Sequence, residues 1–215
     1  DKAGTGYTLT ASSGVLTSAT SVGFDITVGP PTQLVFSGEP SNAVSTVAIS
    51  PAIQVQVQDA GGNPVTTATD SITLAIGTNP GGGTLAGTLT VAAVGGEATF
   101  SDISIDNAGT GYTLVASATG LSSATSAAFD ITLGAATQLV FSGEPSNTAA
   151  TLAITPAITV QVQDAVGNLV TTATDPITLA IGTNPGGGTL AGTLTVAAVG
   201  GEATFSDISI DKVGT

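Results

Sequence analysis

Protein catalysis at neutral pH draws first on His, Cys and Lys, and this 215-residue sequence has no His, no Cys and only two basic residues, Lys2 and Lys212. The commonest general bases, the thiol nucleophiles and the usual zinc ligands are therefore missing. Serines abound, but no Lys falls between Thr32 and Ala136, so neither a Ser–Lys dyad nor a Lys–Asn isopeptide staple can form in that stretch. The acids stand singly, not in the close pairs that share acid and base roles. The sequence predicts no enzyme and assigns no catalytic or cofactor-binding residue.

Calcium is the candidate ion for these residues, because oxygen ligands suffice for it. Candidate ligands are Asp59, Asn63 and Asp70 near one turn, and Asp102, Asp106 and Asp130 towards one end. None forms a D-x-D-x-D-G loop. The competing reading is that Asp59 caps its turn and the others are solubilising surface charges. Apart from calcium, no cofactor is expected.

The formal net charge of −13 would repel a phosphate backbone, so nucleic acid is excluded as a partner. Anionic membrane surfaces are disfavoured on the same ground. No apolar run approaches the ~20 residues of a spanning helix, so no membrane insertion is expected in this segment. The sequence opens without an initiator Met or a signal peptide and reads as an internal segment of an exported protein.

The elements that position these residues repeat. TQLVFSGEPSN begins at Thr32 and again at Thr137, a spacing of 105 residues. GTNPGGGTLAGTLTVAAVGGEATFSDISID begins at Gly77 and recurs unchanged at Gly182, and Asp1, Asp106 and Asp211 open three copies of D-x-x-G-T. Such a period is too long for a solenoid and suits one whole sandwich domain of about 100 residues. The linkers are placed at Gly29-Pro30-Pro31 and Gly134-Ala135-Ala136, where proline stops a strand. Residues 32–136 are then one complete repeat. Residues 1–31 are the C-terminal part of a preceding repeat, and residues 137–215 the N-terminal part of a following one.

Alternation with a period of two marks the strands. Ile53, Val55 and Val57 alternate with Gln54, Gln56 and Gln58; Ile72, Leu74 and Ile76 with Ser71, Thr73 and Ala75. Tyr112, Leu114 and Ala116 share a parity, as do Phe129, Ile131 and Leu133. The phase slips between Phe100 and Ile103, which predicts a bulge or bend at Ser101-Asp102. Turn chemistry falls at 59–64 and 79–83. These signals predict an all-β fold: tandem immunoglobulin-like β-sandwiches with Greek-key topology, seven to nine short strands per repeat. The glutamine stripe reads as a solvated outer face or a lateral contact, and NPGGG as a hairpin connection or a ligand loop.

The run VQVQDAGGNPVTTATDSITLAI resembles the bacterial immunoglobulin-like domains of the invasin and intimin kind, with alternating valines, D-x-x-G-N-P-V and a further strand. DNAGTGYTLVASATG and AAFDITL resemble their closing strands. The resemblance implies a tandem-repeat protein, extracellular or at the cell surface. Its role would be a structural filament, stalk or fibre; the alternatives are an adhesin binding a glycan or host protein, or a calcium-stiffened spacer. Tyr7 and Tyr112 match the tyrosine corner of such sandwiches, whose hydroxyl ties back to nearby backbone; the plainer reading is a half-buried ring without a special bond. The expected partners are adjacent copies of the same repeat, head to tail, with residues 1–31 supplying what residues 137–215 lack.

Overall fold

The computed structural model describes residues 2–214, which hold strands and turns and no helix. Asp1, the first residue of one D-x-x-G-T copy, and Thr215 lie outside the described residues. The chain divides into two compact units, Asp1–Thr132 and Leu133–Thr215.

In the first unit, two sheets face each other around one core. One sheet orders the strands Glu97–Phe100, Ile53–Gln58 and Gln33–Gly38; the other orders Thr90–Ala92, Ser71–Ile76, Leu114–Ser117 and Ala124–Thr125. All these neighbours pair antiparallel. The chain passes between sheets before returning to a neighbouring strand, which is Greek-key order. Gly109–Tyr112 pairs with Phe129–Thr132, and the latter pairs in parallel with Ala43–Val44.

The period-two pattern decides what is buried. Ile53, Val55 and Val57 are buried, while the alternating Gln54, Gln56 and Gln58 are only half-buried on the outer face. Ile72, Leu74, Leu114 and Ala116 cover them from the opposite sheet, with Phe100, Tyr112 and Phe129 filling the ends of the same core. Each large apolar side chain so buried contributes on the order of 1.5–3 kcal/mol relative to leaving it in water. The slip after Phe100 is a bend at Asp102, after which Ile103 and Ile105 return to the core.

Residues 2–31 belong to the first unit but contribute nothing to its core. They form two small hairpins, Gly4–Tyr7 with Phe24–Ile26 and Thr10–Ala11 with Ala19–Thr20. Tyr7, Leu9, Phe24 and Ile26 are all exposed.

The second unit repeats the first sheet, with Gln138–Gly143, Ile158–Gln163 and Glu202–Phe205 in the same registers. Its other sheet stops at two strands, Pro176–Thr178 and Thr195–Ala197. Ser71–Ile76 runs six residues because Leu114–Ser117 pairs along it. The equivalent strand in the second unit ends at Thr178; Leu179 N–H still donates to Leu194 O, but among the described residues no strand takes the place that Leu114–Ser117 holds in the first unit. The same loss uncovers the core: Phe36 is 8% exposed and its equivalent Phe141 is 47% exposed.

Candidate functional site

The turn that follows Ile53–Gln58 places the most heavily bonded acid of the first unit. Asp59 is buried, and its Oδ1 accepts from the N–H groups of Gly61 and Asn63 and from Asn63 Nδ2. Its Oδ2 accepts from Asn63 Nδ2 at 2.9 Å and from the N–H of Gly29 at 2.8 Å. Gly29 lies in the stretch of chain that enters the sandwich, so the carboxylate clasps the incoming linker. Asn63 Oδ1 meanwhile accepts from the N–H of Ala3 at 3.0 Å. Asp164 repeats the arrangement in the second unit: it accepts from Val166, Asn168 and, at 3.2 Å, from the N–H of Gly134.

A carboxylate surrounded by N–H donors is stabilised in its charged form. The Asn63 side chain, then the N–H groups of Asn63, Gly29 and Gly61, hold the Asp59 carboxyl down at about 2, against an ordinary 3.8. The N–H and hydroxyl of Thr88 lower Asp102, and those of Thr193 lower Asp207, in the same way. Because the unfolded chain takes up these protons first, their stabilisation is fully present above pH 3.8 and is lost as pH falls through the folded value. The melting temperature of the first unit is therefore expected to drop between pH 3.8 and about 2. A smaller acid-side drop in Asp59→Asn, measured by calorimetry, checks the assignment; an identical slope would contradict it.

The six calcium candidates do not converge. Asp59 and Asn63 sit together but are occupied by one another and by backbone donors. Asp70 accepts the Ala93 N–H through its backbone carbonyl. Asp102 binds Thr88, Asp106 accepts from Thr84 N–H at 2.7 Å, and Asp130 accepts from Gly111 N–H at 2.9 Å. Among the described residues no three acidic side chains gather at one point. Lone pairs turned towards N–H donors are poor cation ligands, so a chelator is expected to leave the melting temperature unchanged; a drop on chelation, restored by calcium, would contradict this.

Tyr112 closes the end of the sandwich. Its hydroxyl donates to Asn107 O at 2.9 Å, and its ring lies 6.1 Å from that of Phe129. Burial pushes the phenol up, opposed by the N–H groups of Gly83 and Gly81 on its oxygen. The NPGGG loop is thus packed onto a tyrosine: a Cβ at Gly81 would collide with Ala108 O and the Tyr112 hydroxyl. Asn79 ties the loop shut, donating to Gly83 O and accepting from Gly83 N–H. Tyr7 makes the matching bond to Lys2 O at 2.8 Å, but in the open.

Two further arrangements escaped sequence reasoning. Asn107 and Lys212 occupy the same repeat position and differ in charge, which reads as an interchangeable surface site. Both donate to the glycine loop: Asn107 Nδ2 to Gly81 O and Gly82 O, and Lys212 Nζ to Gly187 O. The glutamine stripe is internally bonded, Gln58 to Gln56 and Gln54 to Glu97, with Ser37 donating to the same Glu97. Nothing in the spacing of one strand reveals Glu97; only its cross-strand neighbour Gln56 does.

No protein-family model matches the sequence, and no curated protein matches it. Among solved structures the chain is similar to FdeC, a broadly conserved Escherichia coli adhesin eliciting protection against urinary tract infections. The identity is 13% and the TM-score 0.42, over 89% of this chain and 60% of that one. It is similar also to domains 4–9 of the surface layer protein SbsC, at 14% identity and a TM-score of 0.36, over 90% of this chain and 29% of that one. The chain thus spans less than two thirds of either protein structure.

Proposed function

We propose that the chain is a structural repeat segment of an extracellular filament, stalk or surface fibre of bacterial origin, working by reach and stiffness and carrying out no catalysis. The observation that carries this reading is the linker clasp, Asp59 on Gly29 and Asp164 on Gly134, which recurs at the repeat spacing. A free linker of Gly, Pro and Ala would leave successive domains loosely hinged. A carboxylate that fixes the linker backbone ties each repeat to the chain entering it. Adjacent copies of the same repeat, head to tail, or the continuing chain complete the ends.

Electron microscopy of native material, labelled with antibody raised against this chain, tests the reading. Beaded fibres at the cell surface are the expected result. Label confined to cell interiors would sink it. Saturable binding to a glycan or host protein, with no fibre, would replace it by the adhesin reading.

A further inference from the structure

We infer that Asp59 and Asn63 act together as a two-point lock, which holds the hairpin of residues 4–26 in one orientation on the sandwich that follows it. The inference rests on the structural-repeat reading, in which that hairpin closes the preceding repeat, and it assigns the stiffness of the joint to a named pair of side chains.

The hairpin is gripped on both of its strands. Gly4 pairs with Ile26, so Ala3 precedes one strand at the base of the hairpin and Gly29 follows the other. Gly29 N–H donates to Asp59 Oδ2 at 2.8 Å, and Ala3 N–H donates to Asn63 Oδ1 at 3.0 Å. A single tie would leave rotation about itself; two ties, one on each strand, remove it. The covalent path is stiff as well. Only Pro30 and Pro31 separate the tie at Gly29 from Thr32, whose N–H donates to Gln58 O at 2.9 Å. The rings of both prolines fix φ at about −65°.

The two side chains depend on one another. Asn63 Nδ2 donates to both Asp59 oxygens, at 3.0 and 2.9 Å. The amide is planar, so turning its N–H groups to the carboxylate aims Oδ1 away from it, at the Ala3 N–H. In the flipped amide acceptor would face acceptor and donor would face donor. Asp59 thereby governs a tie in which it takes no part. Asp59 and Asn63 are 5% and 8% exposed, so water competes little for these bonds.

The pair persists where its turn does not. Gly61 and Pro64 become Val166 and Leu169 in the second unit, while Asp164 and Asn168 keep the spacing, and Asn168 Nδ2 donates to Asp164 Oδ2 at 2.9 Å.

The test uses the full chain, which has no Cys of its own, with spin labels on Ser18→Cys in the hairpin and Thr99→Cys in the sandwich. Both positions are exposed. Labels on Ala75→Cys and Thr99→Cys, in the two facing sheets, give the width of a rigid body. The distance distribution of the first pair, read by pulsed electron paramagnetic resonance, is expected to be as narrow as that of the second. It broadens in Asn63→Ala, and likewise in Asn63→Asp, which keeps the side-chain shape but removes both Nδ2 donors. A broad distribution in the parent overturns the proposal, as does an unchanged width in either folded variant. Amide exchange read by NMR tests the dependence of one tie on the other. Asp59→Asn is expected to speed exchange at Ala3 as well as at Gly29, each by about tenfold, the loss of roughly one net hydrogen bond. Faster exchange at Gly29 alone would mean that Asp59 holds only the linker, and overturns the lock. Such a failure leaves fibre labelling on native cells as the separate test of the structural-repeat reading.

Discussion

Phe36→Ala is expected to destabilise the first unit by about 3–4 kcal/mol, whereas Phe141→Ala, the same change one repeat later, costs the second unit under about 1 kcal/mol. The two phenylalanines occupy identical sequence surroundings, QLVFSGEPSN. Their exposures differ, 8% against 47%, because only the first is roofed by the closing strands. Truncating a buried ring removes its transfer free energy and leaves a cavity; truncating a half-exposed one leaves neither in full. Denaturant unfolding, followed by a probe for each unit, reads both values. Equal losses would mean that the second unit closes on itself in solution.

The tyrosines are expected to diverge in the same way, and for an added reason. Tyr112→Ala removes a fully buried ring and leaves the Asn107 carbonyl without the hydroxyl that donates to it. A loss of about 4 kcal/mol is expected, near the upper range for large aromatic truncations. Tyr112→Phe keeps the ring and loses only the hydrogen bond to Asn107 O, for about 1–2 kcal/mol. Tyr7→Ala is expected to leave the first unit's unfolding free energy unchanged, since residues 2–31 lie outside its core. If Tyr7→Ala and Tyr112→Ala cost the same, residues 2–31 are part of that core after all.

Much of this fold is legible in the sequence because a sheet with one buried face must alternate. Ile53, Val55 and Val57 announce a strand and its inward side together. The bend at Asp102 is legible for the same reason, as a break in parity between Phe100 and Ile103. Identity between copies at a fixed spacing gives the length of the repeat before any strand is placed.

What the sequence does not reveal is fixed by partners distant along the chain. Asp59 reads locally as a turn cap, and it is one. Its bond to Gly29 joins residues thirty positions apart and has no local signature. The same holds for Asn107 and Lys212, whose chemistry differs while their shared acceptor, the glycine loop, does not. Asp102, Asp106 and Asp130 look like a scattered set of cation ligands, because spacing alone cannot say which donors already face them.

The central claim is the proposed one, that each 105-residue period folds as one sandwich of a structural repeat. Stretching a single molecule that carries several such periods in tandem tests it most directly. The account predicts evenly spaced unfolding events, each releasing about 35 nm of chain, the extended length of one period. Release of several periods in a single event, or extension without regular steps, would contradict it.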